Sequence, residues 1–227
     1  MAAADPWTNE TVWEPHQQHV RLHPVETMLR VVFSPAYCEL FRPTTPDMKV
    51  LDVGCYHTNN LVPFFDRGCA CYGVEINPSL VSLALEGQRR HGISVTVAEG
   101  NNRHIPFAND TFDILLSINT IHYEVDLPSW RAGVREFYRA TKPGGRVFIM
   151  THGPQHFFQS TAERLSDSRI KIGVESDARF GTFQTAFDSH ADLAHELQKI
   201  FLKVETGESF DFFPKQNLHF LWGLCVK

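Results

Sequence analysis

Two apolar runs that each stop abruptly at a residue with something to offer a ligand constrain this chain most. Lys49-Val50-Leu51-Asp52-Val53-Gly54-Cys55 ends on a glycine, and Cys71-Tyr72-Gly73-Val74-Glu75-Ile76 ends on an acid. Apolar runs of this length read as strands buried on both faces. Gly54 lets the backbone turn tightly and approach a bound molecule, and Glu75 offers a carboxylate to two ribose hydroxyls. Two such strand ends side by side form a cradle for a nucleoside.

The pattern around them alternates. A strand over 48–53 is followed by a helix from about 59, a strand over 70–75, a helix over 78–90 and a strand over 93–98. Asn77-Pro78 marks one helix start, with an N-cap followed by a residue suited to the first helical position. A strand from Thr111 to Ile118 and a helix over 128–141 come next, then Lys142-Pro143-Gly144-Gly145 as a stop and turn, and a strand from Arg146 to Met150. Such alternation predicts an α/β fold, a doubly wound, mainly parallel sheet covered by helices. Over 152–188 the periodicity weakens, which predicts an irregular insertion. A helix over 189–200, capped by Asp188 or Ser189, leads to strands over 201–210 and 217–226, joined by Phe212-Phe213-Pro214-Lys215-Gln216 as a hairpin. Residues 1–46 lack a strand-like run and read as an N-terminal helical extension to a domain over 47–227.

Composition removes several function classes. The 26 acidic residues outnumber the 21 basic ones, and no stretch concentrates Lys and Arg, so nucleic acid is not an expected partner. No window approaches a membrane span and the first residues lack a basic segment followed by an apolar one, which predicts a cytoplasmic protein without a membrane partner. The five cysteines are odd in number and include no Cys-x-x-Cys pair, so free buried thiols are expected and no metal site. Cys69 and Cys71 share one face of a strand but lack the further ligands of a tetrahedral site.

Five motifs in order carry a resemblance: Val50 to Gly54, Gly73 to Glu75, Ala98 to Asn102 followed by Ile105-Pro106-Phe107, Phe112 to Ser117, and Lys142 to Val147. Together they resemble the class I S-adenosylmethionine-dependent methyltransferases of the small-molecule branch. The match runs over roughly 48–151, and the terminal hairpin fits that family's antiparallel seventh strand. The resemblance implies a Rossmann-like seven-stranded sheet, S-adenosylmethionine as cofactor with S-adenosylhomocysteine as product, and a methyl group passed to an oxygen or nitrogen of a small-molecule acceptor. It implies that Asp52 meets the cofactor's ammonium, that Gly54 and Cys55 pass beneath its methionine part, and that Glu75 holds the ribose while Ile76 packs on the adenine. Asn101, where the family usually has Asp, and the backbone N–H of Asn102 would meet the adenine edge, and Ser117 and Ile118 would close the methionine end. One departure stands out. The family's first loop reads Gly-x-Gly-x-Gly, whereas Tyr56 and Thr58 replace its second and third glycines here. The alternative reading is therefore a noncatalytic cofactor-binding or scaffold protein. A nicotinamide dehydrogenase would need Gly-x-Gly-x-x-Gly after the first strand, which the chain lacks.

Ligands of doubly wound sheets bind beyond the carboxyl ends of the strands, and two histidines follow such ends, His122 and His152. Either could take a proton from an acceptor hydroxyl, because imidazole titrates near neutrality. Trp7, Trp13, His16, His19 and His23 read as part of an amphipathic lid, and Phe157, Phe158, Phe180, Phe183 and Phe187 as candidates to line the acceptor pocket.

Overall fold

A computed structural model describes residues 23–227. Five parallel strands form the sheet's body: β1 (Lys49–Val53), β2 (Ala70–Glu75), β3 (Val95–Glu99), β4 (Phe112–Ile118) and β5 (Thr141–His152). After a small second sheet of β6 (Glu163–Ser166), β7 (Arg169–Lys171) and β8 (Phe183–Thr185), the chain returns as a hairpin of β9 (Lys203–Phe212) and β10 (Asn217–Val226). The main sheet has seven strands in the order β3-β2-β1-β4-β5-β10-β9, with β10 antiparallel to both neighbours.

Alternate residues of each strand feed opposite faces, as a period of two requires. Val50, Ile114, Leu116, Phe148 and Met150 pack on one face with α1 (Glu26–Phe33), α2 (Val62–Phe65) and α3 (Pro78–His91). Leu51, Leu115, Val147 and Ile149 pack on the other, against Trp130, Val134 and Phe137 of α4 (Leu127–Ala140) and Leu193 and Leu197 of α6 (His190–Leu197), the short α5 (Phe157–Ser160) lying between them in sequence. The caps are those the sequence marks: Asn77 accepts from the Leu80 N–H, and Ser189 rather than Asp188 caps α6.

The structure departs from the sequence reading in β5 and in the insertion. Strand β5 begins at Thr141, opposite Phe112, and pairing resumes at Arg146, opposite Ile114. Lys142–Gly145 is thus a bulge inside the strand, not a turn before it. Gly144 takes φ +76° there, and the chain's last residue pairs with it, Gly144 N–H donating to Lys227 O at 2.8 Å. The stretch 152–188 is not irregular. It holds α5 and the three-stranded antiparallel sheet β6-β7-β8, with a core of Phe158, Ile170, Ile172 and Ala186. Strands of three or four residues are too short to show a period, so the sequence pattern is silent about them.

Of the expected N-terminal lid, Trp7, Trp13, His16 and His19 lie outside the described residues. The part that follows belongs to the core: Met28, Val31 and Val32 of α1 are buried against the sheet. His23 and Val25 are tied to the loop after β1, through Asn59 Nδ2 donating to His23 O at 2.7 Å and Val25 N–H donating to Asn60 Oδ1 at 3.0 Å.

That loop is also pressed from the helical side. A Cβ at Gly87 of α3 would stand 2.3 Å from the His57 carbonyl oxygen, so helix and loop meet backbone to backbone. Helix propensity alone favours Gly87→Ala by about 1 kcal/mol. The contact reverses the sign, because a carbonyl cannot move aside as a flexible side chain can. Gly87→Ala is expected to destabilise the fold by about 1–3 kcal/mol, read as a lower denaturation midpoint in urea.

Candidate active site

The loop leaving β1 takes positive φ at Gly54 (+76°), Tyr56 (46°) and Thr58 (60°). Its turns fall on the three positions where the resembled motif keeps glycine. At Gly54 a Cβ would lie 2.1 Å from Thr120 Cγ2, so any side chain there would be strained at this φ and would force Thr120 to shift. At Tyr56 and Thr58 an L-residue costs about 1–2 kcal/mol to hold left-handed. Hydrogen bonds fasten the loop in return. Gly54 N–H donates to Val74 O at 2.8 Å, Thr58 N–H to Cys55 O at 2.7 Å, and Tyr56 N–H to Glu75 Oε1 at 2.5 Å.

Glu75 ends β2 almost wholly buried. Burial lifts its carboxyl to about 7, and the Tyr56 and Ile76 N–H groups limit the rise by favouring the anion. Together with Gly54, Tyr56, Ile76, Leu80 and Gly100–Asn102, it lines one end of a cavity of about 520 Å³ beyond the strand ends. The Asn101 side chain closes a turn by accepting from Arg103 N–H at 2.9 Å. Asn102 Nδ2 donates to Glu124 Oε1 at 3.2 Å and to Thr120 O at 3.3 Å. Two buried amide oxygens on this wall, Asn102 Oδ1 and Asn119 Oδ1, have no hydrogen-bond partner among the described residues. A carboxylate for a diol and spare carbonyl oxygens for amino groups are what an amino-bearing nucleoside requires.

Of the residues singled out by sequence, Gly54, Glu75, Ile76, Asn101, Asn102, Ile118 and His152 line this cavity. Asp52, Cys55, Ser117 and His122 do not. Asp52 is fully buried in β1. Cys55 packs on Gly73, where an added Cβ would lie 2.5 Å from its sulfur, and burial pushes the thiol well above its usual range. All five cysteines are free and buried. Ser117 shares a 2.8 Å hydrogen bond with Thr120 Oγ1, which donates in turn to Val53 O at 3.1 Å and so ties the ends of β4 and β1 together.

The other end of the cavity is walled by rings. His122, His152 and His156 stack face on face, with centroids 4.0 and 3.9 Å apart, and Phe157, Phe158 and Phe220 surround them. His122 stands behind His152 in this stack. Burial, with Arg179 adding to it, holds the His122 imidazole well below its usual range, and the same causes lower His156 to about 3. Arg179 is held by Asp177, Nε to Oδ1 at 2.6 Å and Nη2 to Oδ2 at 2.7 Å. It also donates to the Tyr123 hydroxyl at 3.0 Å and lies 4.1 Å over the Phe158 ring. Burial works against its charge, and the Asp177 carboxylate more than offsets that.

Of the phenylalanines expected here, Phe157 and Phe158 reach the cavity, Phe180 is exposed, Phe183 lies beneath Arg169, and Phe187 packs on Trp130. His156, Arg179, Asp177, Tyr123 and Asn119 were missed by sequence reasoning. His156 follows His152 by four residues, which was the one available signal. Asp177 and Arg179 come from the insertion, which reaches the site because Thr185 bonds back to Glu124 O through its N–H at 2.9 Å and its hydroxyl at 2.7 Å.

Residues 50–145 match the family model described as a methyltransferase domain. The norajmaline N-methyltransferase of Rauvolfia serpentina is 26% identical over 130-odd residues, covering 57% of this chain and 44% of that protein. A demethylmenaquinone methyltransferase of Streptomyces griseus is 32% identical over 105 residues, 46% of this chain and 42% of that protein. The chain spans less than half the length of the curated relatives it matches. Among solved structures, an S-adenosylmethionine-dependent methyltransferase of Methanosarcina mazei aligns with a TM-score of 0.65 at 14% identity, covering 86% of this chain and 99% of that one.

The raised Glu75 carboxyl fixes a pH dependence. The folded state holds this proton up to about 7, whereas an unfolded glutamate releases it near its usual 4.5, so the contribution is fully present below about 4.5 and is lost as pH rises through about 7. Without ligand, the protein should lose stability relative to Glu75→Gln between about pH 5 and 8, by about 3 kcal/mol at most. Parallel urea titrations of both proteins measure it, and parallel pH profiles would refute it.

Proposed function

We propose that this chain, a member of the class I S-adenosylmethionine-dependent methyltransferase family, transfers a methyl group from S-adenosylmethionine to an oxygen or nitrogen of a small-molecule acceptor. One observation carries the reading: a single cavity joins the Glu75–Asn102 cradle to a ring-lined chamber at the ends of β4 and β5. When bound, S-adenosylmethionine supplies a methyl group on a sulfonium centre, open to direct displacement. The chain's own residues do the holding and the aligning.

Glu75 accepts from the ribose hydroxyls, and its two oxygens have lone pairs beyond those that Tyr56 and Ile76 engage. Ile76 and Leu80 offer apolar surface to the adenine, and Asn102 Oδ1 an acceptor for its amino group. Asn119, at φ 58° on the turn after β4, offers its amide oxygen to the ammonium, a role expected of Asp52. His152, His156 and Phe158 orient the acceptor, and their rings exclude water from the point of transfer. A small acceptor also agrees with the relatives named for norajmaline and demethylmenaquinone. The noncatalytic alternative rests on the altered glycine loop, and the left-handed turns kept at Tyr56 and Thr58 count against it.

Incubation with S-adenosylmethionine and a panel of small acceptors tests the reading by release of S-adenosylhomocysteine. A folded protein that binds the cofactor but releases none would favour the scaffold alternative. Glu75→Ala should weaken cofactor binding by about 1.5–3 kcal/mol, roughly 10- to 150-fold by calorimetry. In the natural protein, affinity should climb from about pH 6 to 8, since the ribose hydroxyls favour the ionised carboxylate and its folded midpoint is about 7. His152→Asn should lower the turnover rate at least about tenfold while leaving cofactor affinity within about twofold.

A further inference from the structure

The acceptor end has a definite charge inventory. The groups around it are His152 and His156 of the stack with His122 behind them, Tyr123 and Glu124 after β4, Asp177 and Arg179 of the insertion, and His219 of the hairpin behind His156. The strong charges are matched: Asp177 holds Arg179, and Glu124 meets Arg103 at 3.1 Å. His219 bonds to Glu208 at 3.1 Å. His156 accepts from the Phe158 N–H through Nδ1 at 3.3 Å, so the neutral ring carries its proton on Nε2 and is a donor, not a base. Flat rings make up one side of the chamber, with His156 and Phe157 stacked at 4.8 Å and His156 and Phe158 at 5.5 Å.

From this geometry we infer that the acceptor reaches the site already ionised, as an oxygen anion on a planar ring such as an acidic phenol or enol. The inference rests on the methyltransferase reading above and narrows it. A lone pair of the acceptor oxygen forms the new O–C bond to the methyl carbon while the S–C bond breaks and its electron pair stays on sulfur. An anion and a sulfonium become a neutral ether and a neutral thioether, and no proton moves. Such charge cancellation suits a chamber walled on one side by rings, where a lower local dielectric strengthens attraction between opposite charges. A neutral amine would instead become a cation in a wall whose one buried guanidinium is already matched, and its proton would need a base. Two of the three stacked imidazoles are held far from protonation by burial and Arg179, so they are poor bases for an ammonium. Arg179 donates to the Tyr123 hydroxyl at 3.0 Å and so polarises it, which would strengthen that hydroxyl as a donor to an oxyanion.

The test uses para-nitrophenol, whose phenolate is coloured, with the full-length protein saturated by S-adenosylhomocysteine. Calorimetry of that saturation stands as a separate check, because a protein that fails to bind S-adenosylhomocysteine overturns the cofactor reading itself. With the product bound, the phenolate should bind at least about tenfold more tightly than the phenol, lowering the bound phenol's pKa by about one unit or more. Arg179→Met should abolish that shift, and Tyr123→Phe, which keeps the ring packing, should reduce it. With S-adenosylmethionine, para-nitroanisole should form at a rate that follows the phenol's ionised fraction, and benzylamine should be methylated at least about tenfold more slowly. Equal binding of phenol and phenolate, no binding of para-nitrophenol to a protein that holds S-adenosylhomocysteine, or faster methylation of benzylamine would each overturn the inference.

Discussion

Three positive φ angles in five residues carry the chain from the end of β1 across the end of β2, and the site depends on that turn being held. Its fastenings come from every side: Val74 and Glu75 of β2 accept its N–H groups, Thr120 bonds back to Val53, Gly87 of α3 presses on His57, and Asn59 and Asn60 hold the chain before α1. Left-handed Tyr56 and Thr58 together cost about 2–4 kcal/mol. A handful of hydrogen bonds at about 1 kcal/mol each is of the same size, so the loop keeps a glycine-type path without two of its glycines. What the substitution adds is side-chain material. Tyr56 lines the cavity, while Thr58 is buried beneath the loop.

This accounts for what could and could not be read in the sequence. The parallel strands, α3 with its Asn77 cap and the terminal hairpin were legible because each is long enough for its apolar pattern to repeat. Gly54 and Glu75 were legible because they stop apolar runs at strand ends. The outcome of the glycine replacements was not, since sequence gives the price of a left-handed Tyr56 but not the Glu75 carboxylate that captures its N–H. Asn119 was missed for a related reason, its place on the cavity wall going with a positive φ that the sequence does not announce. The Ser117 contact was not legible either: its side chain meets Thr120, which bonds back to Val53.

The acceptor wall was the least legible part, and topology explains why. His152 ends β5 and His122 follows the end of β4, its parallel neighbour, by four residues, so strand order brings them together. His156, Asp177 and Arg179 arrive from a segment whose strands are three or four residues long and whose register depends on Thr185 bonding to Glu124. No local signal ties Arg179 to Tyr123, 56 positions away in the chain. The doubly wound sheet sets the cavity beyond its strand ends, and the inserted segment supplies Asp177 and Arg179 to its wall.

Burial acts on the two ends of the cavity in opposite chemical senses with one electrical result. It raises an acid at Glu75 and lowers bases at His122 and His156, so each is biased toward its uncharged form before a ligand enters. The remaining wall charges are closed into pairs such as Arg179 with Asp177. A ligand's own charge is then the largest unbalanced charge in the chamber, felt through a low dielectric rather than through water. A cation bound at the Glu75 end would therefore favour ionisation of that carboxyl, because an opposite charge nearby stabilises the anion.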